Sequence, residues 1–206
     1  MARQSTITTS RKEEDVINIL LGVSGDVGSF SEEAALHYAK QKNMNASLVY
    51  LIDMEGVLTA IEGNEIELGI LPVVNLQGGL VKPAFQAMGK HLFTPVDELW
   101  LHVQQCLLVL PGTKSHQITS IASHPQGIAQ CEQYLQNKFK EIERIEWCDT
   151  AKAAKDLAEG NLGSCTAVIA SERCAEIYGL EVMAKNIQDS DRNLTAFILV
   201  KNGEGR

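Results

Sequence analysis

The sequence predicts an α/β protein of two lobes, each built on a largely parallel sheet. Strand-like and helix-like segments alternate along the chain, and the alternation falls into two blocks. Three polar, glycine- or proline-bearing turns, "GDVGSFS", "VNLQGG" and "SHPQ", each follow a predicted strand directly. In such folds ligands sit beyond the carboxyl ends of strands, between the lobes.

The first block opens with the strand "VINILLGV", which runs into a glycine turn and the helix of "SGDVGSFSEEAALHYAKQ". Ser29 and Glu32 have the spacing of a capping box and set the start of that helix. "ASLVYLI" is a strand, "MEGVLTAIEGN" a short helix ending near Gly63, and "IELGILPVVN" a buried strand closing in the turn "LQGG".

The second block starts with one long apolar segment, "ELWLHVQQCLLVLP". "ITSIAS" is a strand. "PQGIAQCEQYLQNKF" is a helix, with Pro125 near its first turn, where a missing N–H costs nothing. "IERIEWC" is a strand, and Asp149 or Thr150 caps the helix of "DTAKAAKDLAEG". "TAVIAS", "ERCAEIYGL" and "NLTAFILVK" give a strand, a short helix and a closing strand. These elements predict a flexible tail over residues 1–16 and one domain over 17–203. Lobe one takes about 17–96 plus 181–203, and lobe two about 97–180.

Composition narrows the function. The chain has 206 residues, 45% hydrophobic and 21% charged, with a net charge of -8. That balance excludes a broad nucleic-acid footprint, which needs clustered Lys and Arg. An anionic small molecule is compatible, because backbone N–H groups at a helix start hold carboxylates. No apolar run is long enough to span a bilayer, and the polar N-terminus has no secretion signal core, so a cytoplasmic protein is expected. The five cysteines include no CxxC pair. They read as free, mostly buried thiols, and no metal site is expected.

Each polar turn has a plain explanation. The glycines of "GDVGS" make a tight turn, "LQGG" leaves a strand, and Ser123 caps a helix. Thr195 suits a strand by propensity alone. Their convergence on one side of the sheets favours a binding cleft.

The ordered series of motifs resembles the prephenate dehydratase family from about Ile19 to Val200. "GDVGSFSEEAA" is similar to the family's G-P-x-G-[ST]-[FY]-[ST] opening, with Asp26 in place of proline. "SHPQGIAQC" matches its S-H-P-Q-x-x-x-Q-C helix start, and "DTAKAA" is similar to its S-T-x-A-A segment. "IYGLEVMAKNIQDSDRNLTAF" follows its Y-G-L … N-I-x-D … N-x-T-R-F ending.

The resemblance implies a two-lobed fold of the periplasmic-binding-protein type (type II) with the substrate in the cleft. It implies a carbon–oxygen lyase of phenylalanine biosynthesis that converts prephenate to phenylpyruvate with loss of water and carbon dioxide. No cofactor or metal is implied. The only small-molecule partner is the anionic substrate, with no nucleic acid and no membrane, and a homodimer or dimer of dimers is expected. Thr195 falls on the hydroxyl taken to assist the leaving group, and Asn75, Ser123 and Gln130 on the other catalytic positions. Ser123 is expected both to start its helix and to face the cleft. Gly28, Ser29, Gly79, Thr150 and Phe197 fall on substrate-contacting positions.

The chain departs from the family pattern where T-R-F has Ala196 for the arginine, and where P-x-E-N-[ST] has Val74 for the glutamate and Leu76 for the hydroxyl residue. These departures leave two alternatives: a prephenate decarboxylase, or a non-catalytic binder of aromatic acids. The chain stops shortly after the T-A-F strand, so no appended regulatory domain and no feedback inhibition through one are expected.

Overall fold

The computed structural model describes residues 18–203; the tail expected over residues 1–16 lies outside them. Two sheets form, one per lobe. The first has the order β2-β1-β3-β11-β5, with β4 (Gly79–Leu80) beside β3. Here β1 is Ile19–Ser24, β2 Ala46–Leu51, β3 Leu68–Asn75, β5 Phe93–His102 and β11 Leu194–Asn202. The second has the order β10-β6-β9-β7-β8, with β6 Cys106–Val109, β7 Ser120–Ser123, β8 Glu143–Glu146, β9 Thr166–Ala170 and β10 Glu181–Ala184.

The sheets are mixed rather than largely parallel. β1, β2 and β3 run parallel, as do β7, β8 and β9, but β11 is antiparallel to both β3 and β5. Likewise β6 is antiparallel to β9 and β10 to β6. The antiparallel strands are those next to the passages between lobes, where the chain arrives from the other sheet instead of through a helical crossover.

Both sheets are covered on both faces. α1 (Phe30–Gln41) covers one face of the first sheet, with Ala34, Ala35 and Tyr38 against Leu21, Ile70 and Phe197. α2 (Met54–Glu62) and α3 (Lys82–Met88) cover the other, with Val57, Ile61 and Ala87 against Leu71 and Val200. In the second lobe α6 (Thr150–Ala158) and α7 (Glu172–Tyr178) lie on one face. α4 (Pro125–Ala129) and α5 (Glu132–Lys138) lie on the other. β6 and β9, buried along their whole length, read as unbroken apolar runs for that reason.

Three expectations are corrected. "ELWLHVQQCLLVLP" is not one strand: β5 ends at His102 in the first sheet, and β6 starts at Cys106 in the second. The lobe boundaries at 97 and 181 therefore shift, because β5 pairs with β11 through His102 while β10 pairs with β6. The segment after Pro125 is two short helices broken at Gln130–Cys131.

The chain passes between lobes at Val103–Gln105 and again between Ala184 and Leu194. The two crossings bind each other: Val103 N–H donates to Asn193 O at 2.7 Å, and Ile187 N–H to Gln105 O at 2.9 Å.

Candidate active site

A cavity of about 390 Å³ lies between the lobes. That is the size of a small-molecule site. Its walls come from the starts of α1, α2, α3, α4 and α6, the ends of β1 and β3, the start of β11 and the first crossing.

Asn75 and Thr195 are cross-strand partners on β3 and β11, and both line the cavity. Asn75 is 4% exposed. Its Oδ1 accepts from the backbone N–H groups of Gln77 (2.9 Å) and Gly78 (2.8 Å) in the "LQGG" turn. A backbone N–H only donates, so the orientation of this amide is fixed. Asn75 Nδ2 then donates to Thr195 Oγ1 at 2.9 Å and to Asn193 Oδ1 at 2.8 Å. Thr195 accepts that bond, which leaves its own hydrogen to be donated elsewhere.

The ordering propagates. Asn193 Nδ2 donates to Gln130 Oε1 at 3.0 Å, and Gln130 Nε2 donates back to Asn75 Oδ1 at 3.2 Å. Three amides close a ring in which every bond runs the same way. Asn75 comes from the first lobe, Gln130 from the second and Asn193 from a crossing. Gln105, on the other crossing, donates from Nε2 to Gln130 Oε1 at 3.0 Å. Its Oε1 is buried and has no partner among the described residues.

Of the other expected residues, Ser29, Thr150 and Phe197 line the cavity. Ser29 is the N-cap of α1, where its hydroxyl accepts from Glu32 N–H at 3.2 Å. The capping box is only half made, because the Glu32 carboxylate turns to Gly28 N–H at 2.6 Å. Thr150 opens α6, whose cap is Asp149. Phe197 is 1% exposed and floors the site.

Three expected residues stand elsewhere. Ser123 neither starts the helix nor faces the cleft. It ends β7, is 0% exposed and donates to Ile169 O at 2.7 Å, tying β7 to β9. The cap of α4 is His124, whose Nδ1 accepts from Gln126 N–H at 3.2 Å. Gly28 sits at the junction of the lobes, with a positive φ of 89°. Its carbonyl accepts from Ser171 Oγ at 3.0 Å and Cys174 Sγ at 3.3 Å, and a Cβ there would stand 2.8 Å from the Cys174 sulfur. Gly79 is exposed at the start of β4, at φ 74°.

Sequence reasoning missed Gln105 and Asn193. The one signal for Gln105 is a polar pair interrupting the apolar run "LHVQQCLLV"; for Asn193 it is the asparagine of N-x-T.

Around the junction, the Glu32 carboxylate is 3% exposed. Burial pushes its pKa up, but hydrogen bonds from Arg173, Tyr50 and Gly28 N–H outweigh that and hold it below the ordinary value. Partial desolvation of its phenol, and then the hydrogen bond it donates to this carboxylate, push Tyr50 up to about 12. Arg173 belongs to α7, so this ion pair joins the two lobes.

Comparison with known proteins bears on the whole domain. A family model described as prephenate dehydratase matches residues 21–204. A similar protein is arogenate dehydratase/prephenate dehydratase 6, chloroplastic, of Arabidopsis thaliana. It is 37% identical over 183 residues, which cover 89% of this chain and 43% of that protein. Arogenate dehydratase 3, chloroplastic, of the same organism is 36% identical over 183 residues, covering 89% and 42%. The chain thus spans less than half the length of these relatives. The crystal structure of prephenate dehydratase from Arthrobacter aurescens in complex with L-Phe superimposes with a TM-score of 0.82 at 22% identity. It covers 91% of this chain and 61% of that one. That likeness shows the shared two-lobed α/β fold.

Proposed function

The chain belongs to the prephenate dehydratase family, and on that premise we propose that it is a decarboxylating dehydratase acting on prephenate or its amino-acid counterpart arogenate. In that reaction the C–O bond to the ring hydroxyl breaks and oxygen takes the electron pair. The C–C pair of the ring carboxylate enters the ring as carbon dioxide leaves. Aromatisation drives the step, so the protein has to orient the substrate and assist departure of the hydroxyl.

Thr195 is suited to that assistance. The observation that carries the proposal is the fixed direction of the Asn75–Thr195 bond: Thr195 accepts from Asn75 and has its hydrogen left for the cavity. Donation to the departing oxygen yields water, and solvent restores the proton to Thr195. Asn75 and Gln130 are positioning groups in this scheme. The 12-residue α1, capped by the neutral Ser29, presents its first N–H groups to one substrate carboxylate. Phe197 supports the ring. A cytoplasmic location and a homodimer belong to the same proposal and rest on the sequence alone.

Thr195→Val removes the hydroxyl at nearly constant volume. Its kcat for formation of the aromatic product is expected to fall about 10²–10⁴-fold, with KM changed by no more than about threefold, and Thr195→Ser is expected to keep most of the rate. Full activity in Thr195→Val would overturn the assignment. A non-aromatic product with carbon dioxide release would make the wild type a decarboxylase, and tight binding without turnover would make it a binding protein.

A further inference from the structure

We infer that the preferred substrate carries an ammonium group on its side chain, so that the cavity selects the α-amino acid arogenate over the α-keto acid prephenate. This inference rests on the dehydratase reading above. The two compounds share the ring, its carboxylate and its hydroxyl. They differ where the amino acid has an ammonium and the keto acid a ketone, so the first is a monoanion overall and the second a dianion.

The charge of the cavity favours the monoanion. Among the described residues that line it there is no Lys or Arg, while two carboxylates, Asp53 and Asp149, stand in its wall. A dianion would therefore enter a site with two carboxylates and no Lys or Arg to meet it; the one histidine of the lining, His124, has its Nδ1 engaged as an acceptor from Gln126 N–H.

The helix starts point the same way. The N-termini of α2 and α6 would each attract an anion, but each is taken by its own carboxylate. Asp53 Oδ1 accepts from Gly56 N–H at 2.8 Å, and Asp149 Oδ1 from Lys152 N–H at 2.9 Å. Each aspartate uses one oxygen in these caps and keeps a second. Asp149 Oδ2 lies over the Gly25 turn, 3.7 Å from where a Cβ of residue 25 would stand. Only α1, among these three helices, has a neutral cap.

The hydrogen-bond inventory is an independent observation. Gln105 lines the cavity, is 2% exposed and has an Oε1 without a donor. Its orientation is fixed through Gln130, Asn193 and Asn75 by the backbone N–H groups of Gln77 and Gly78, so turning the amide over does not cure the deficit. A buried acceptor of this kind calls for a donor. An ammonium brings three donors, and a ketone brings none.

The test is kcat/KM for each compound at one ionic strength, in the wild type and in Asp53→Asn and Asp149→Asn. Asparagine caps a helix about as well as aspartate, so these variants remove charge and keep the cap. The wild type is expected to favour arogenate at least about tenfold. Each variant is expected to narrow that preference about three- to tenfold, chiefly by improving use of prephenate. Equal or better use of prephenate by the wild type overturns the inference and leaves the dehydratase reading standing, and so does a preference unchanged in both folded variants. Formation of neither aromatic product overturns the dehydratase reading, and the inference falls with it.

Discussion

Val74 and Ala196 face each other across β3 and β11, one residue from the cavity pair Asn75 and Thr195. These are two of the positions where the chain departs from the family pattern, which has glutamate at the first and arginine at the second. In register they are one change, an opposite-charge pair exchanged for an apolar pair. Successive residues of a strand point to opposite faces, so the exchange lies on the side away from Thr195.

A double-mutant cycle checks this pairing. Val74→Glu and Ala196→Arg are each expected to destabilise by about 1–2 kcal/mol, because each places one charge against an apolar neighbour. The double variant is expected to recover about 1 kcal/mol relative to the sum in urea unfolding. Strict additivity would mean that the two side chains do not meet.

Asn193 holds two of the three bonds of the amide ring. Asn193→Ala takes from Asn75 its 2.8 Å acceptor, leaving the longer bond to Leu194 O at 3.3 Å, and removes one of two donors to Gln130, at an expected cost of about 1–3 kcal/mol. If the ring also orients Thr195, kcat falls at least about tenfold at unchanged KM. A loss of stability with kcat preserved would confine Asn193 to a structural role.

Glu32 governs stability in acid. Its folded pKa is depressed, so its contribution is complete above the unfolded value of about 4.3 and is lost as pH falls through the folded value. Glu32→Gln is expected to flatten unfolding free energy against pH below about 4.3 and to lower stability at pH 7. An acid limb identical to that of the wild type would contradict the assignment.

His91 acts in the opposite sense. Its ring nitrogens face Glu62 at 2.7 Å and Glu55 at 3.0 Å, an arrangement that requires both to carry hydrogen. Glu62, then Glu55, raise its pKa. Its contribution is therefore complete below about 6.5 and is lost as pH rises through the folded value. The decline in melting temperature through that range is expected to be shallower in His91→Gln.

Thiol labelling reports on the cavity. Cys148 and Cys165 are exposed, while Cys106, Cys131 and Cys174 are buried. Burial pushes all three buried thiols up, Cys174 to about 11. Two thiols are expected to react rapidly in the native protein. Phenylpyruvate at saturation is expected to slow one of them, because Cys148 lines the cavity. Protection of neither would place the ligand elsewhere.

Much of the fold is legible in the sequence because β–α alternation and helix caps are local signals. Ser29 and Asp149 each cap the helix that follows, as their positions before it predict. The passage at Val103–Gln105 is not legible, since apolar residues on both sides belong to different sheets and periodicity cannot show where a chain changes sheet. The short β10 and α3 escape for want of length and capping. At the site, motif spacing leads to Asn75, Gln130 and Thr195. It misplaces Ser123, because a serine before proline reads as a cap whether its side chain turns to the helix or back into the sheet. Gln105 and Asn193 matter through partners distant in sequence.

The grip of the first glycine turn on the second lobe bears on mechanics. Ser171 and Cys174 hold the Gly28 carbonyl, Tyr178 Oη donates to Val27 O at 2.6 Å, and Lys155 Nζ meets Asp26 at 3.4 Å. The two crossings, bound to each other, form a single axle, and a body hung on one axle swings. The turn fastens the lobes at a further place and takes that degree of freedom away. The molecule is then expected to behave as a frame rather than a jaw. Its radius of gyration in solution should stay constant as ligand is added, and recognition proceeds without the cost of shutting the cleft.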